Sequence, residues 1–235
     1  MADWLDFLFP RDCAATGEAL GEDAPGHLGA RGAAALPRIG DPRCLRCGQP
    51  FFGALLADRA CPRCADMDEG FGRAVCAFRS RDLARELIHR AKYRGEPQLI
   101  DDLCRAALSD PVFARHLSGS TLVPVPLHPE RLRERGFDQA ERAARSLAAG
   151  LPGCRVRLLL ERRRRTRQQA RLRRRERQEN LDDAFGLAPG AGVPAGERLV
   201  VVDDVLTTGA TLASAARVLV AAGARRVDAA ALAHG

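Results

Sequence analysis

The segment Leu199-Val-Val-Val-Asp-Asp-Val-Leu-Thr-Thr-Gly-Ala-Thr211 decides the fold of this chain. Its first four residues are all apolar and lack the polar alternation of a half-exposed strand, so they predict a strand that is covered on both faces in a parallel sheet. Asp203 and Asp204 then fall at the carboxyl end of that strand. Apolar residues recur with helical spacing after Thr211, so a turn of threonine, glycine and alanine is expected to join the strand to a helix.

Open α/β sheets bind ligands at the carboxyl ends of their strands. The start of a helix offers unpaired N–H groups and a partial positive charge, which suit a phosphate. Two acids beside a phosphate would repel it, unless they face ribose hydroxyls or a Mg²⁺ ion. The segment therefore predicts a sugar-phosphate site in which Asp203 and Asp204 are the acids and the phosphate binds the turn residues Thr207, Thr208, Gly209, Ala210 and Thr211. The alternative is an ordinary strand end with solvated acids and a threonine helix cap.

Two other phosphate-binding patterns are missing from the sequence. A P-loop needs Gly-x-x-x-x-Gly-Lys-Ser/Thr, and the chain has a single lysine, Lys92, in Arg90-Ala-Lys-Tyr-Arg94. No Gly-x-Gly-x-x-Gly follows a predicted strand, so a dinucleotide-binding fold has no support either.

The segment from Val200 to Thr211 resembles the phosphoribosyl-pyrophosphate signature of type I phosphoribosyltransferases. Further segments, in the same order, resemble the ComF family of competence-associated proteins: Val123-Pro-Val-Pro-Leu127, Arg133-Glu-Arg-Gly-Phe-Asp-Gln139, Thr166-Arg-Gln-Gln-Ala170, Arg173 to Asn180, and an upstream Cys-x-x-Cys pair. The resemblance implies an α/β, type I phosphoribosyltransferase fold over residues 73–235, with a mainly parallel sheet flanked by helices. A small cysteine-rich zinc module over residues 41–70 would precede it.

The resemblance also implies residue roles. The protein would bind phosphoribosyl pyrophosphate (PRPP) with Mg²⁺, Asp203 and Asp204 would be catalytic, and a nucleophile would displace pyrophosphate from the ribose. A loop over residues 127–135 would cradle the pyrophosphate, with Arg131, Arg133 and Arg135 as candidate contacts. The alternative for this stretch is the start of a basic helix. No residue in the sequence marks the acceptor base.

The cysteines form the pattern C-x₂-C-x₁₃-C-x₂-C at Cys44, Cys47, Cys61 and Cys64. Two such pairs can close a tetrahedral Zn²⁺ site, and four cysteine ligands leave no open position, so the role would be structural. The alternative of two disulfides is disfavoured in a reducing cytoplasm. Relatives in the ComF family often carry another cysteine pair near the start, whereas this chain has only Cys13 there, which leaves a second metal site undecided.

Positive charge is concentrated in one tract. Residues 161–178 hold ten arginines and two glutamates, a charge of +8, against +7 for the whole chain. Such a block is either a solvated helix face or an anion-binding arm, and the bidentate fit of arginine to phosphate favours the arm. In the fold that this chain resembles, this stretch is a hood over the active site, with Arg167, Gln168, Arg173, Arg174 and Arg175 as candidate contacts. The alternative function is a non-catalytic, PRPP-sensing scaffold that binds single-stranded DNA through this tract, with competence-machinery proteins as partners.

Residues 1–40 are expected to be an N-terminal segment and a flexible linker, because residues 14–40 contain few large apolar groups to offset the entropy of ordering. No run of about 18 apolar residues exists, and the first residues include acids where a signal peptide would be basic. We therefore expect a cytoplasmic protein without membrane insertion. The remaining elements expected are strands at 74–79, 121–127 and 155–160 and helices at 81–93, 97–107 and 136–147.

Overall fold

The computed structural model describes residues 11–44, 46–50, 61, 64, 70–163 and 184–235. Its strands are β1 (Ala74–Arg79), β2 (Thr121–Pro124), β3 (Arg155–Val156), β4 (Leu160–Arg162), β5 (Phe185–Leu187), β6 (Leu199–Leu206) and β7 (Val227–His234). Its helices are α1 (Ala30–Ala34), α2 (Asp82–Tyr93), α3 (Gln98–Leu108), α4 (Pro111–Leu117), α5 (Pro129–Arg135), α6 (Gln139–Ala149) and α7 (Ala210–Ala221). Five strands form one parallel sheet in the order β1-β7-β6-β2-β3, and β4 pairs with β5 in a separate antiparallel hairpin.

The sheet separates two hydrophobic layers. Residues of α2, α3, α4 and α6 pack against one face, whereas α7, the β4–β5 hairpin and the cysteine module pack against the other. Leu199, Val200, Val201 and Val202 of β6 are each at most 1% exposed, as the unbroken apolar run predicts. The α/β class and the cysteine-rich module that precedes the sheet are both confirmed. The central position of β6 places its carboxyl end, with Asp203 and Asp204, in the middle of one sheet edge.

The expected flexible linker is wrong for the residues that the structure describes. The stretch from residue 37 to 39 pairs antiparallel with β1: Ile39 N–H donates to Ala77 O at 2.9 Å, and Arg79 N–H donates to Pro37 O at 2.8 Å. Because β1 is an edge strand, this pairing satisfies backbone groups that would otherwise be open. These backbone hydrogen bonds act together with the few large apolar side chains of the segment, since Leu36 and Ile39 are buried in the core.

A further contact anchors the same segment to the helical layer. The backbone N–H of His27 donates to both carboxylate oxygens of Asp102, at 3.1 and 3.2 Å, and the Asp102 side chain is only 1% exposed. Burial raises the pKa of Asp102, although the His27 N–H and the charge of Arg105 act against the increase. Residues 11–40 therefore form an ordered strap across α3.

The loop expected over residues 127–135 is wrong for residues 129–135, which form helix α5, as the alternative of a helix start predicted. Pro129 occupies the first helical position, the Glu130 N–H donates to His128 Nδ1 at 3.3 Å, and Gly136 ends the helix at φ = 79°. The helix predicted from residue 136 begins at Gln139, because the Asp138 carboxylate caps it by accepting from the next two free N–H groups.

The pH dependence of stability should report on His116, which lies buried at the end of α4. Its Nε2–H donates to Ala229 O at 2.9 Å, yet burial lowers the pKa of His116 to about 4. Because the folded-state pKa lies below the unfolded value of about 6.5, the stability contribution is complete above pH ~6.5 and is lost as the pH falls towards 4. The loss amounts to about 3 kcal/mol. Urea unfolding of the wild type and of His116→Gln between pH 4 and 7 should show a flatter profile for the variant; parallel profiles would contradict this.

Candidate functional site

The two adjacent acids of β6 lie on opposite sides of the sheet, as alternation along a strand requires. The Asp204 carboxylate is 4% exposed and forms an ion pair through Oδ2 with Lys92 Nζ, which comes from the last turn of α2. Asp203 is partly exposed, and its Oδ1 accepts a hydrogen bond from the Asp204 N–H at 2.8 Å. One acid is therefore held by a lysine on the helical side, while the other faces the β4–β5 side.

The two carboxylates have opposite pKa shifts. Burial and the negative charge of Asp204 raise the pKa of Asp203 well above its ordinary value. Burial also acts to raise the pKa of Asp204, but the charge and hydrogen bond of Lys92 outweigh it, and the pKa of Asp204 is lowered. Asp204 is thus the settled anion of the pair. Asp203 is the acid that gains most from a bound cation or a hydroxyl donor.

Arginines surround the acids from two directions. Burial lowers the pKa of Arg162 at the end of β4, while the charge of Asp203 acts to raise it and that of Arg131 to lower it further. Arg135 lies over the ring of Tyr93 at 5.3 Å and donates to the Gln139 side chain, and its charge contributes to lowering the pKa of Asp204. Of the predicted contacts on α5, Arg135 acts on the charge of Asp204, whereas Arg131 acts on Arg162.

The third predicted contact on α5 points elsewhere. Arg133 is exposed, and among the described contacts it makes none with Asp203 or Asp204. Residues four apart share a helix face, so Arg131 and Arg135 lie together while a residue two positions away faces another direction. The helical geometry of α5, which the sequence offered only as the alternative to a loop, explains this separation.

The turn after β6 leads into α7 through a glycine with a left-handed backbone conformation. Gly209 has φ = 79°, a left-handed angle that favours glycine, and it precedes the 12-residue helix α7 without offering a capping side chain. Thr207 and Thr208 are exposed, and the Ala210 N–H lies 3.5 Å from Thr208 Oγ1. A shallow concavity is lined by Thr207, Gly209, Ala210 and Thr211. The predicted phosphate residues are thus brought together at the helix start.

The segment after β2 is fixed beside these acids by one carboxylate. Asp138 Oδ2 accepts from the Leu127 N–H at 2.7 Å, and Oδ1 accepts from the Ala140 N–H at 2.9 Å. A single side chain therefore pins the chain that enters α5 to the start of α6. This clamp determines where α5 presents its arginines.

Lys92 and Arg162 are the site residues that the sequence analysis did not select. The available signal was compositional: Lys92 is the only lysine among 37 basic residues, in a chain that otherwise uses arginine. A lysine's single ammonium can fit where the planar fork of arginine does not, so a lone lysine in an arginine-rich chain indicates a position that needs the more compact cation. The predicted hood residues Arg167, Gln168, Arg173, Arg174 and Arg175 lie outside the described residues.

The four predicted metal ligands converge in the N-terminal module. The Sγ atoms of Cys44, Cys47, Cys61 and Cys64 all lie within 4.8 Å of one another, and all four residues are buried. The Cys44–Cys64 and Cys47–Cys61 Sγ pairs are 3.5 Å apart. A tetrahedral Zn²⁺ with Zn–S bonds of about 2.3 Å would hold sulfurs roughly 3.8 Å apart. The cluster therefore has the ligand set and spacing of a structural zinc site.

The thiols of this cluster cannot all ionise without a cation. Burial opposes ionisation of Cys44, but backbone N–H groups of Cys47, Cys61 and Arg46 lower the pKa of Cys44 to about 6. Burial is the main cause that raises the pKa of Cys64 to about 12, and the negative charge of Cys44 contributes. A divalent metal ion removes this repulsion, because it binds the thiolate forms.

The turn at Cys13, the single cysteine near the start, repeats the backbone hydrogen bonds of the turn at Cys44. In the turn at Cys44, the Cys44 N–H donates to Gln49 O and the Gly48 N–H donates to Cys44 O. The turn at Cys13 has the same two bonds: the Cys13 N–H donates to Glu18 O, and the Gly17 N–H donates to Cys13 O. Thr16 stands where the second turn has Cys47. Among the described residues only the four-cysteine group could hold a metal, so this first turn keeps the backbone form without the ligands.

The Lys92–Asp204 pair should dominate the stability of the site. Lys92→Met leaves a buried charged carboxylate beside Asp203 and should lower the free energy of unfolding by roughly 3 kcal/mol. Adding Asp204→Asn in that background should recover part of the loss, because it removes the unpaired charge. Urea denaturation of wild type, both single variants and the double variant measures this coupling; a double variant destabilised by the full sum of the single changes would refute it.

Metal content provides a separate check of the cysteine module. Elemental analysis of the purified protein should give one Zn²⁺ per chain, and Cys61→Ser should lose it, since three thiolates leave the tetrahedral site incomplete. Cys13→Ser is the matched control and should retain the ion. Two ions per chain, one of them lost in Cys13→Ser, would contradict the interpretation of the first turn.

Comparison with known domain families separates the chain into the same two parts. A phosphoribosyl transferase domain matches residues 133–235, and a double zinc ribbon domain matches residues 4–65. The second match agrees with the repeated turn, although only one ribbon has its four cysteines. In the described ranges, no helix is both long enough and apolar enough to cross a membrane.

Relatives match across both parts. The chain is 32% identical over 190 residues to the DNA utilization protein YhgH of Salmonella typhimurium, and equally to that of Escherichia coli, covering 79% of this chain and 81% of each relative. It is 28% identical over 163 residues to Competence protein F of Haemophilus influenzae, covering 68% and 71%. The order of the zinc module, the parallel sheet and the acidic turn agrees with these matches. The chain therefore belongs to the ComF family of competence-associated proteins, which joins a zinc ribbon to a phosphoribosyltransferase-like domain.

Proposed function

We propose that this protein is a phosphoribosyltransferase that binds Mg²⁺ and PRPP at the carboxyl edge of its sheet. The observation that carries the proposal is the adjacent pair Asp203 and Asp204 at the end of the central strand. A lysine fixes one of these acids, and the turn at Gly209 opens α7 directly beyond them. Ribose hydroxyls and a 5′-phosphate need these two kinds of partner, a carboxylate and a group of N–H donors, side by side.

Each part of the ligand has a partner in this arrangement. Asp203, the more exposed acid, would accept hydrogen bonds from the ribose hydroxyls, while Asp204 stays bound to Lys92. The 5′-phosphate would lie at the mouth of the shallow concavity and accept from the first N–H groups of α7 and from threonine hydroxyls. Lys92 would then act by keeping the acidic pair in place rather than by contacting the phosphate.

The residues also fit the metal and the leaving group. Asp203 is a partly exposed carboxylate whose pKa is raised by burial and by the negative charge of Asp204, so a hard divalent cation is a suitable partner. Bound Mg²⁺ would supply positive charge to the pyrophosphate. Arg131 and Arg135 on α5 would add hydrogen bonds to the departing pyrophosphate, where negative charge accumulates as the C1–O bond breaks.

The reaction would be displacement of pyrophosphate at C1 of the ribose by an acceptor nucleophile. The sugar would carry positive charge in the transition state, so charge placement would supply most of the acceleration. The enzyme hypothesis requires an acceptor base, which a transfer screen can identify.

The second candidate function is a non-catalytic scaffold that senses PRPP and binds single-stranded DNA. It is supported by the arginine tract at residues 161–178 and by relatives named for DNA utilization and competence.

Calorimetric titration with PRPP, with and without Mg²⁺, tests the ligand directly. We expect Mg²⁺-dependent binding that Asp203→Asn weakens roughly 10- to 100-fold, because a hydrogen bond to a charged group contributes about 1.5–3 kcal/mol. Asp82→Asn removes a carboxylate that is 75% exposed on α2 and serves as the matched control.

Three outcomes separate the candidates. Loss of binding in Asp203→Asn but not in Asp82→Asn supports the site. Equal binding by both variants would refute it. If PRPP binds but a radiolabelled transfer screen with purine and pyrimidine bases shows no turnover, the scaffold replaces the enzyme.

A further inference from the structure

The amino-terminal edge of the sheet carries a row of arginines. Arg73 directly precedes β1, Arg198 precedes β6 and Arg226 precedes β7, while Arg155 is the first residue of β3. The strand register places these starts side by side, since Leu199 pairs with Val227 and with Thr121, which pairs in turn with Arg155. Four of the five parallel strands therefore begin with, or directly after, an arginine.

The row is long and lies far from the acidic site. Neighbouring strands are about 4.8 Å apart, so five strands spread the arginines over roughly 19 Å. Asp203 lies five residues along β6 from Arg198, or about 16 Å at 3.3 Å per residue. A ligand on this edge is therefore separate from one bound at the acidic turn.

A cavity of about 820 Å³ opens along this edge. Its charged or polar walls include Arg73, His116, Arg198, Arg225, Arg226 and Asp228. A second hollow of about 390 Å³ shares Arg226 with the first and reaches Arg46 of the cysteine module. Arg73, Arg198, Arg225 and Arg226 thus line a concave surface, and Arg226 lies between the two hollows.

Charge on this edge is unbalanced. Asp228 pairs with Arg226 at 3.1 Å and with Arg198 at 3.6 Å, and Glu197 lies 3.9 Å from both Arg155 and Arg157. Arg225 makes no ion pair with the described residues, and the buried Nε of Arg73 has no hydrogen-bond partner among them. Asp228 and Glu197 thus carry two negative charges against the six positive charges of the arginines on this edge, an excess of four. The six are Arg73, Arg155, Arg157, Arg198, Arg225 and Arg226.

An arginine row in a groove of this length fits a chain of phosphates. A single phosphate or a pyrophosphate would engage only part of a 19 Å row, whereas an extended phosphodiester backbone can meet several guanidinium groups in succession. The walls of the first cavity include no tryptophan, tyrosine or phenylalanine that could stack on bases, and Phe71 in the wall of the second hollow is buried. Binding would therefore depend on charge and be indifferent to base sequence.

We propose that this arginine row binds the backbone of single-stranded nucleic acid. A single strand is flexible enough to follow the concave surface between the loop at residues 194–198 and the turn at residues 223–226, both of which line the cavity. The site is independent of the proposed PRPP site. It assigns nucleic-acid contact to the amino-terminal edge of the sheet rather than to the arginine tract at residues 161–178.

Fluorescence anisotropy with a labelled 20-nucleotide single strand of mixed sequence tests this site in the full-length protein. Arg225→Gln/Arg226→Gln removes two exposed charges from the row, and Arg85→Gln/Arg145→Gln removes two from helices α2 and α6 as the matched control. The row variant should bind about tenfold more weakly. Its plot of log K against log salt should be shallower by about 1.4, since each lost phosphate contact contributes about 0.7 for single strands.

A second variant, which is expected to strengthen binding rather than weaken it, keeps the test independent of folding defects. Glu197→Gln removes the acid shared by Arg155 and Arg157 and should strengthen binding, because it frees two guanidinium groups. PRPP titration should be unchanged in both the row variant and Glu197→Gln, so failure at one edge is distinguishable from failure at the other.

Four results would overturn the proposal. One is equal weakening by the row and control variants. Another is unchanged binding by the row variant together with loss on replacing Arg173, Arg174 and Arg175 with glutamine. A third is tighter binding to a duplex of the same sequence than to the single strand. The last is weaker binding by Glu197→Gln.

Discussion

The structure depends on two neighbouring carboxylates being placed at the end of a buried strand. Desolvation and mutual repulsion both oppose this arrangement, and the pKa of Asp203 is raised accordingly. One ion pair makes it tolerable, because Lys92 reaches across from α2 to Asp204. The remaining acid is then available to a ligand. The pair of carboxylates that lowers stability at the strand end therefore also provides affinity for a cation and for ribose hydroxyls.

The rest of the fold supports that strand end. Helix α2 brings the lysine, the clamp at Asp138 positions α5 with its arginines, and the turn at Gly209 begins α7 beyond the acids. Parallel strands also give the sheet two chemically different edges. The carboxyl edge combines acids with cations, whereas the amino edge carries an excess of arginine. Two anionic ligands could therefore bind one domain without competing for the same groups.

The sequence predicted the features that depend on local pattern. Four apolar residues before Asp203 were enough to place a buried parallel strand, and the cysteine spacing was enough to place the metal ligands. Features that depend on distant contacts were missed. The strap over residues 11–40 is held by backbone hydrogen bonds that composition does not reveal, and β7 is rich in alanine, which has little strand preference of its own. Lys92 was missed because its partner lies more than a hundred residues away. The separation of Arg133 from Arg131 and Arg135 on α5 was missed because a loop was favoured over the alternative of a helix start.

The most direct test of the central claim is a crystal structure of the protein with PRPP and Mg²⁺. We expect the ribose hydroxyls to lie within hydrogen-bond distance, about 2.6–3.2 Å, of the Asp203 or Asp204 carboxylate, and the 5′-phosphate to lie at the start of α7. The Lys92–Asp204 ion pair should persist in that complex. A ligand bound elsewhere, or one whose ribose contacts neither aspartate, would contradict the account.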